Sequence, residues 1–228
     1  MKALLLLFLF SISLFAGPPM KSSDPFVPSL GEFEINVAVE GEYKENDLVR
    51  APILDANYGI MKNVQLTLES AYVSSDSQDG FDSFEVAIKW LFYEDDFFAI
   101  ALYPKYKSYP IDSIFNEGET YELTVPMNFA LSEKLDFIVD LTYVYHPNHS
   151  GEHLEFGSYV KYKNNKHTYY LEIFMEGKEH QKQFFVLGNI GYMYQFHERV
   201  GFMISVGKEI TYEEKRGTIG YSGLQFVF

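Results

Sequence analysis

Gly220-Tyr221-Ser222-Gly223-Leu224-Gln225-Phe226-Val227-Phe228 alternates, with Leu224, Phe226 and Phe228 on one face and Gln225 on the other. Successive side chains of an extended chain point to opposite sides, so this period of two predicts a strand with one apolar face.

The same period recurs upstream in segments of about ten residues separated by turn residues. Near the start, Phe33, Ile35, Val37 and Val39 oppose Glu34, Asn36 and Glu40. Val64, Leu66, Leu68 and Tyr72 oppose Gln65, Thr67 and Glu69, and Phe84, Val86, Ile88, Trp90 and Phe92 oppose Glu85 and Lys89. Phe98, Ile100 and Leu102 oppose Tyr103 and Lys105; Tyr121 to Phe129 oppose Glu122, Thr124 and Asn128; Leu135 to Tyr143 oppose Asp136, Asp140 and Thr142. Further segments run near Val49 to Tyr58, Leu154 to Tyr162, Thr168 to Glu176, Phe184 to Tyr194, Val200 to Lys208 and Gly217 to Phe228, giving twelve strands.

Alternate connections differ in length. Gly59 to Asn63, Tyr93 to Asp96, Leu131 to Lys134, Lys163 to Lys166 and Gln195 to Arg199 are brief. Ser74 to Gly80, Ser108 to Gly118, His146 to Gly151 and Glu209 to Arg216 tend to be longer and more polar, although Lys44 to Leu48 and Gly177 to Lys182 in the same set are short too. The Asn and Asp residues in the brief set suit the positive φ of tight hairpins. Transmembrane barrels show this asymmetry, with tight periplasmic turns and longer external loops, and an even strand number puts both termini in the periplasm.

The 228 residues hold 32 acidic and 18 basic side chains, 18 Tyr, 21 Phe, one Trp and no Cys. The acidic balance excludes a nucleic-acid-binding surface. The missing cysteines exclude disulfides, thiolate metal sites and cysteine nucleophiles. Abundant aromatics fit two belts at the membrane interfaces. A secreted soluble sandwich or lipocalin-like barrel has the same alternation with its faces reversed, and alternation alone does not choose between them.

Met1-Lys2, the apolar run Ala3 to Phe15 and the small-residue site before Gly17-Pro18-Pro19 read as a cleaved signal peptide over 1–16. The run is shorter than the ~20 residues of a spanning helix. Its removal takes Lys2 and no acid, moving the net charge from −14 to −15. Residues 17–30, rich in Pro and Ser, read as a short periplasmic lead-in, mobile or tucked into the periplasmic mouth, and 31–228 as the barrel.

Two resemblances weigh for the membrane. The terminal Leu224, Phe226 and Phe228 resemble the closing-strand signal that outer-membrane barrels present to their assembly machinery. Ala51-Pro52-Ile53-Leu54-Asp55-Ala56-Asn57-Tyr58-Gly59-Ile60-Met61-Lys62-Asn63-Val64-Gln65-Leu66, with Phe84 to Phe92 and Phe98 to Pro104, is similar to the outer-membrane transporter family linked to the meta pathway of phenol degradation, over about a quarter of the chain. This implies an all-β, closed antiparallel transmembrane barrel in the bacterial outer membrane, in contact with its lipid and lipopolysaccharide, acting as a porin-like channel for small solutes. It carries no implication about phenol.

With the apolar face on lipid, Glu34, Glu40, Asp55, Glu69, Glu85, Glu122, Asp140, Glu155 and Glu172 line the lumen, with Lys89, Lys105 and Lys161. Tyr103, Tyr159, Tyr170 and Phe174 narrow it. Such a carboxylate surplus favours cations and neutral solutes over anions. The alternative is that acids and bases pair into a plug, leaving a structural or surface barrel that binds divalent cations or lipopolysaccharide; twelve strands suit either outcome. His146-Pro147-Asn148-His149-Ser150-Gly151-Glu152-His153 is the one cluster with hydrolytic or metal-ligating chemistry, through His146, His149 and His153. A Pro- and Gly-containing loop does not preorganise it, so the reading is no enzyme, no metal and no cofactor. No phosphate-binding loop, zinc-peptidase motif or nucleophile elbow is present.

Overall fold

The computed structural model describes residues 19–43, 48–75, 79–109, 118–147, 151–177, 184–210 and 217–228. The expected leader 1–16 and the tips of the longer loops lie outside the described residues.

Twelve antiparallel strands follow one another in sequence and in space: β1 (Phe33–Tyr43), β2 (Leu48–Met61), β3 (Val64–Ser75), β4 (Asp79–Glu94), β5 (Phe98–Ser108), β6 (Glu119–Ser132), β7 (Leu135–His146), β8 (Gly151–Asn164), β9 (His167–Gly177), β10 (Phe184–His197), β11 (Val200–Glu209) and β12 (Thr218–Val227). β12 returns to β1, closing the sheet. The seam runs from Glu34 opposite Val227 to Tyr43 opposite Thr218, and Leu224 and Phe226 stand opposite Val37 and Ile35. At its lower end Phe228 N–H donates to the Phe33 carbonyl at 2.9 Å, and Phe33 N–H to the Phe228 carbonyl at 3.2 Å. Closure leaves no strand edge, which a hydrocarbon environment requires.

The described residues settle which face is in. Val37, Leu54, Leu68, Ile88, Trp90, Leu123, Leu141, Leu171, Ile190 and Val206 are exposed on the outer wall, whereas Glu34, Asn36, Asp55, Glu85, Lys89, Asp140, Lys161 and Glu172 are buried inside. A soluble barrel has the reverse, so the apolar face is built for lipid. Aromatic pairs mark the two ends of this band. Near the short turns are Phe33 and Tyr58 at 4.2 Å, Phe98 and Phe129 at 5.1 Å, Tyr169 and Tyr192 at 5.4 Å, and Tyr194 and Phe196 at 5.0 Å. Near the longer loops are Tyr72 and Phe81 at 5.8 Å and Tyr106 and Tyr121 at 5.3 Å.

At one end, which we call the turn end, each connection is two or three residues: 62–63, 95–97, 133–134, 165–166 and 198–199. Connections at the loop end reach ten residues, at 109–118. Asn63 and Asn165 take the left-handed conformation, with φ of 65° and 56°, as tight hairpins require. The Tyr93 to Asp96 turn works differently from expectation. β4 runs on to Glu94, and Asp95 builds the turn with its side chain, accepting from the Phe97 N–H at 2.8 Å, the Phe98 N–H at 2.7 Å and the Tyr93 hydroxyl at 2.6 Å.

The Pro/Ser lead-in is the main departure from the sequence reading. It neither hangs free nor stops at the mouth; the described part runs up inside the barrel. Ser29 to Glu32 forms a turn with Gly31 at φ 83°, in which the Glu32 N–H donates to the Ser29 carbonyl at 2.9 Å. Gly31 N–H and the Glu32 carbonyl then pair with Gly59 on β2. A Cβ on Gly59 falls 2.0 Å from the Ser29 carbonyl oxygen, so only glycine lets the chain turn inward here. From there, Phe26 and Val27 pack against Leu91, Ala99 and Ala101.

Candidate functional site

Lumen-facing residues of neighbouring strands meet as cross-strand pairs, so register decides which charges touch. On β2, β3 and β4, Asp55 stands opposite Glu69, and Glu69 opposite Glu85. Three carboxylates thus form an unbroken row across three strands. Like charges directly opposite destabilise a sheet. The row continues to Asn36 on one side and to Lys107 on the other.

Amides hold one end of the row in place. Asn36 Nδ2 donates to Asp55 Oδ2 at 2.9 Å and to Glu34 Oε1 at 3.1 Å, and Asn57 Nδ2 donates to both Asp55 oxygens at 3.1 Å. Gln65 Nε2 and Thr67 Oγ1 both reach Asn57 Oδ1, and the Tyr103 hydroxyl donates to Thr67 Oγ1 at 3.2 Å. Asp55 is therefore fixed by donors that are themselves fixed, which preorganises its carboxylate toward the lumen.

Lysines hold the other end. Lys107 Nζ lies 3.5 Å from Glu85 and 3.9 Å from Glu122, and Lys105 Nζ lies 3.3 Å from Glu122. Lys89 and Lys105 Nζ sit 4.8 and 4.9 Å from the Tyr103 ring centroid. Asp55, Glu69, Glu85, Lys89, Lys105 and Lys107 all face one cavity of about 270 Å³, which Lys21, Glu40, Asn189 and Tyr221 also line. Its carboxylates and ammonium groups are balanced in number; Lys89, Lys105 and Lys107 lie on β4 and β5 and Lys21 on the entering segment, while Asp55 and Glu69 lie on β2 and β3. A solute in the cavity meets carboxylates on the β2 and β3 side and ammonium groups on the β4 and β5 side.

A second cluster, across the lumen, holds the N-terminal segment. Glu172 Oε1 accepts from the Ser22 N–H at 2.8 Å and the Ser22 hydroxyl at 2.6 Å, while Oε2 accepts from Asn189 Nδ2 at 2.9 Å and the Lys21 N–H at 3.2 Å. Asp140 Oδ2 accepts from the Ser23 N–H at 2.6 Å. Asp24 and Lys161, each 1 % exposed, lie 3.9 Å apart, and Lys89 Nζ donates to the Phe26 carbonyl at 3.3 Å. Lys21 Nζ is 3.4 Å from Glu40.

The structure places the expected lumen residues as follows. Glu34, Asp55, Glu85, Lys89, Asp140, Lys161 and Glu172 are buried inside. Glu40, Glu69 and Lys105 line the cavity, Glu122 pairs with Lys105, and Glu155 shares the face of Tyr159 and Lys161. They form two groups rather than one ring: the carboxylate row with its lysines, and the Glu172 and Asp140 pair with the entering chain. Tyr103, Tyr159, Tyr170 and Phe174 also point inward. Sequence reading missed Lys107 and Lys163, whose Nζ lies 2.8 Å from Asp136. Both continue the alternation of Lys105 and of Lys161, and that was the available signal.

At the two ends of the histidine stretch, His146 closes β7 and His153 lies in β8, with His146 opposite Gly151 and Val144 opposite His153. Their rings stack with centroids 5.6 Å apart; His146 Nδ1 is 3.0 Å from Thr120 Oγ1, and His153 Nε2 is 3.3 Å from Glu155 Oε1. His149 and Ser150 lie outside the described residues. Among the described residues, no group of three or more His, Asp or Glu is placed to hold a metal ion.

Solved structures share this architecture. The NanC porin superposes with a TM-score of 0.63 at 14 % identity, over 83 % of this chain and 98 % of that one. The KdgM porin in complex with disordered oligogalacturonate gives 0.61 at 13 %, over 85 % and 99 %. The COG4313 outer membrane channel from Pseudomonas putida F1 gives 0.67 at 13 %, over 92 % and 100 %. At these identities the likeness shows the fold, that of outer-membrane barrel porins. No protein-family model matches the sequence, and no curated protein sequence matches it.

Proposed function

We propose that the chain is a porin-like channel of the bacterial outer membrane that passes small solutes, cations and neutral molecules ahead of anions. The observation that carries this reading is the row Asp55, Glu69 and Glu85, set side by side on three strands and facing a cavity inside a lipid-facing barrel. Three like charges in direct opposition are a cost to folding that a purely structural wall has no reason to keep. In a narrow lumen with low-dielectric walls they attract cations on the β2 and β3 side of the cavity, away from the lysines of β4 and β5.

The rest of the reading comes from the sequence. Residues 1–16 direct export and are removed, 17–30 are the lead-in, of which 19–28 occupy the lumen, and 31–228 form the barrel, with the turn end in the periplasm. Leu224, Phe226 and Phe228 engage the barrel-assembly machinery, and the outer wall meets lipid and lipopolysaccharide. We read the chain as a distant relative of the transporter family linked to the meta pathway of phenol degradation, with no specificity for phenol. A polyanion such as the oligogalacturonate held by KdgM meets like charge in this row, so the solute class differs. The channel is not an enzyme and carries no cofactor.

The occupied lumen favours a second reading, a plugged structural barrel whose surface binds divalent cations or lipopolysaccharide. Swelling of liposomes that carry the refolded chain separates the two. Entry of a neutral pentose and of a small amino alcohol, with slower entry of a sugar acid of the same size, supports the channel. Liposomes that stay osmotically tight to all three sink it.

A further inference from the structure

The lumen contains a length of its own chain, and the wall is cut to fit it. A Cβ on Gly157 falls 2.1 Å from Ser22 Oγ and 2.3 Å from Asp140 Oδ1; one on Gly191 falls 2.2 Å from Met20 Cε and 3.1 Å from Pro19 Cγ. Both glycines lie on lumen-facing positions, next to Tyr159 and Met193 in their strands. Under Phe26 and Val27 the wall presents Leu91 with two small residues, Ala99 and Ala101. A side chain at Gly157 collides with Ser22 as it is seated, and one at Gly191 requires Met20 to move.

The way the segment is fastened differs from the way the barrel is fastened. Among the described residues, 19–28 make no backbone-to-backbone hydrogen bond with a strand. The three consecutive N–H groups of Lys21, Ser22 and Ser23 go instead to the side chains of Glu172 and Asp140. Asp24-Pro25 and Val27-Pro28 supply prolines, which have no N–H to give to a ladder. The segment is thus attached by wall side chains, the carboxylates of Glu172 and Asp140, the ammonium groups of Lys161 and Lys89 and the amide of Asn189, and by the packing of Met20, Phe26 and Val27, and it can leave without breaking any strand pairing. Local openings of this kind draw on the weakest contacts of a structure.

We propose that residues 19–28 are a displaceable plug that closes the turn-end half of the channel, with Glu172 and Asp140 as its latch. This rests on the channel reading of the previous section. With the plug seated, the cavity facing Asp55, Glu69 and Glu85 is floored by Pro19 to Ser23; with the plug released, the lumen runs through. Because the latch accepts backbone N–H groups, it holds the segment by position more than by side-chain identity, Ser22 excepted.

The chain has no cysteine, so Ser23→Cys, which alters a side chain outside the latch, supplies one reporter thiol. The test combines its rate of reaction with a charged methanethiosulfonate reagent and single-channel conductance, each in the Ser23→Cys parent and with Glu172→Ala or Gly157→Val added. Loss of a hydrogen bond to a charged group is expected to speed labelling by at least about tenfold in Glu172→Ala. The same variants are expected to replace a small conductance in the parent with larger, longer openings. Equal conductance in parent and variants, with the parent thiol already labelled at the unfolded-chain rate, overturns the plug and leaves the channel standing. Fast labelling in the variants with no conductance in any of them upholds a displaceable segment and overturns the channel. Glu172→Ala only trims a side chain and Gly157→Val forces a collision, so agreement between them excludes a folding defect particular to either. If Gly157→Val does not refold, parent against Glu172→Ala decides.

Discussion

Asp55 and Glu69 are direct cross-strand partners on β2 and β3, both facing the lumen. Asp55 is clamped by the Asn36 and Asn57 amides, and Glu69 has Glu85 on its other side. Glu69 is therefore the residue whose charge costs most and whose position serves a solute best. Replacing it with Gln removes two like-charge oppositions, each worth roughly 0.2–1 kcal/mol. Glu69→Gln is expected to resist chemical unfolding more strongly than the parent while its cation preference falls. Urea titration of the refolded barrel in liposomes, alongside a salt-gradient measurement, checks both; a variant that is less stable contradicts the repulsion.

Asp24 and Lys161 are a buried pair between the entering segment and β8. Removing one partner of such a pair strands the other's charge, at a cost of about 3–5 kcal/mol when the site cannot open. Lys161→Met is expected to destabilise the seated segment, and Asp24→Leu added to it to restore most of the loss. Unfolding midpoints of the parent, both single variants and the double variant measure the coupling; additive effects contradict the pairing.

Leu171, 61 % exposed and opposite Ile190 and Val160 on the outer wall, sits amid the lipid-facing band. A cation at the middle of a bilayer costs ~2–4 kcal/mol on a barrel wall. Leu171→Arg is expected to lower stability by that amount in bilayers, whereas Ser74→Arg near the loop end costs little. Equal effects at the two positions contradict the membrane orientation.

Asp95 lies in the turn between β4 and β5, outside the strands. Its carboxyl is held below the usual range by the Tyr93 hydroxyl and by the Phe98 and Phe97 N–H groups. The sign follows: a depressed carboxyl supports the fold above the ordinary carboxylate value of about 4 and loses that support as pH falls through its own lower value. Asp95→Ala is expected to speed amide exchange of Phe97 and Phe98 at neutral pH. The gap between variant and parent is expected to narrow below pH 4; a gap that widens there contradicts the assignment.

Much of this architecture was legible because a strand wall repeats one rule. Period-two alternation placed Glu34, Glu69, Asp140 and Glu172 on the lumen side, since a residue's face depends only on parity within its strand. Connection lengths placed the two ends. The entering segment was not legible, because Asp24-Pro25-Phe26-Val27-Pro28 has no period and its partners are remote: Ser22 and Glu172 are 150 residues apart. The glycines that make room for it carried a trace of it, since Gly157 and Gly191 interrupt lumen-facing positions where bulk is otherwise present. β7 includes His146, the first residue of the connection expected from the sequence, because the alternation of Tyr143, Val144 and Tyr145 carries on into it. Cross-strand register, which brings Asp55, Glu69 and Glu85 into one row, depends on turn geometry and is not encoded in any single strand.

The most direct test is the reversal potential of the refolded chain in planar bilayers across a potassium chloride gradient, with and without Asp55→Asn, Glu69→Gln and Glu85→Gln together. The account predicts discrete channels whose reversal potential has the sign of cation preference and moves toward zero in the triple variant. Discrete channels with anion preference, or a preference that the triple variant leaves unchanged, would contradict it.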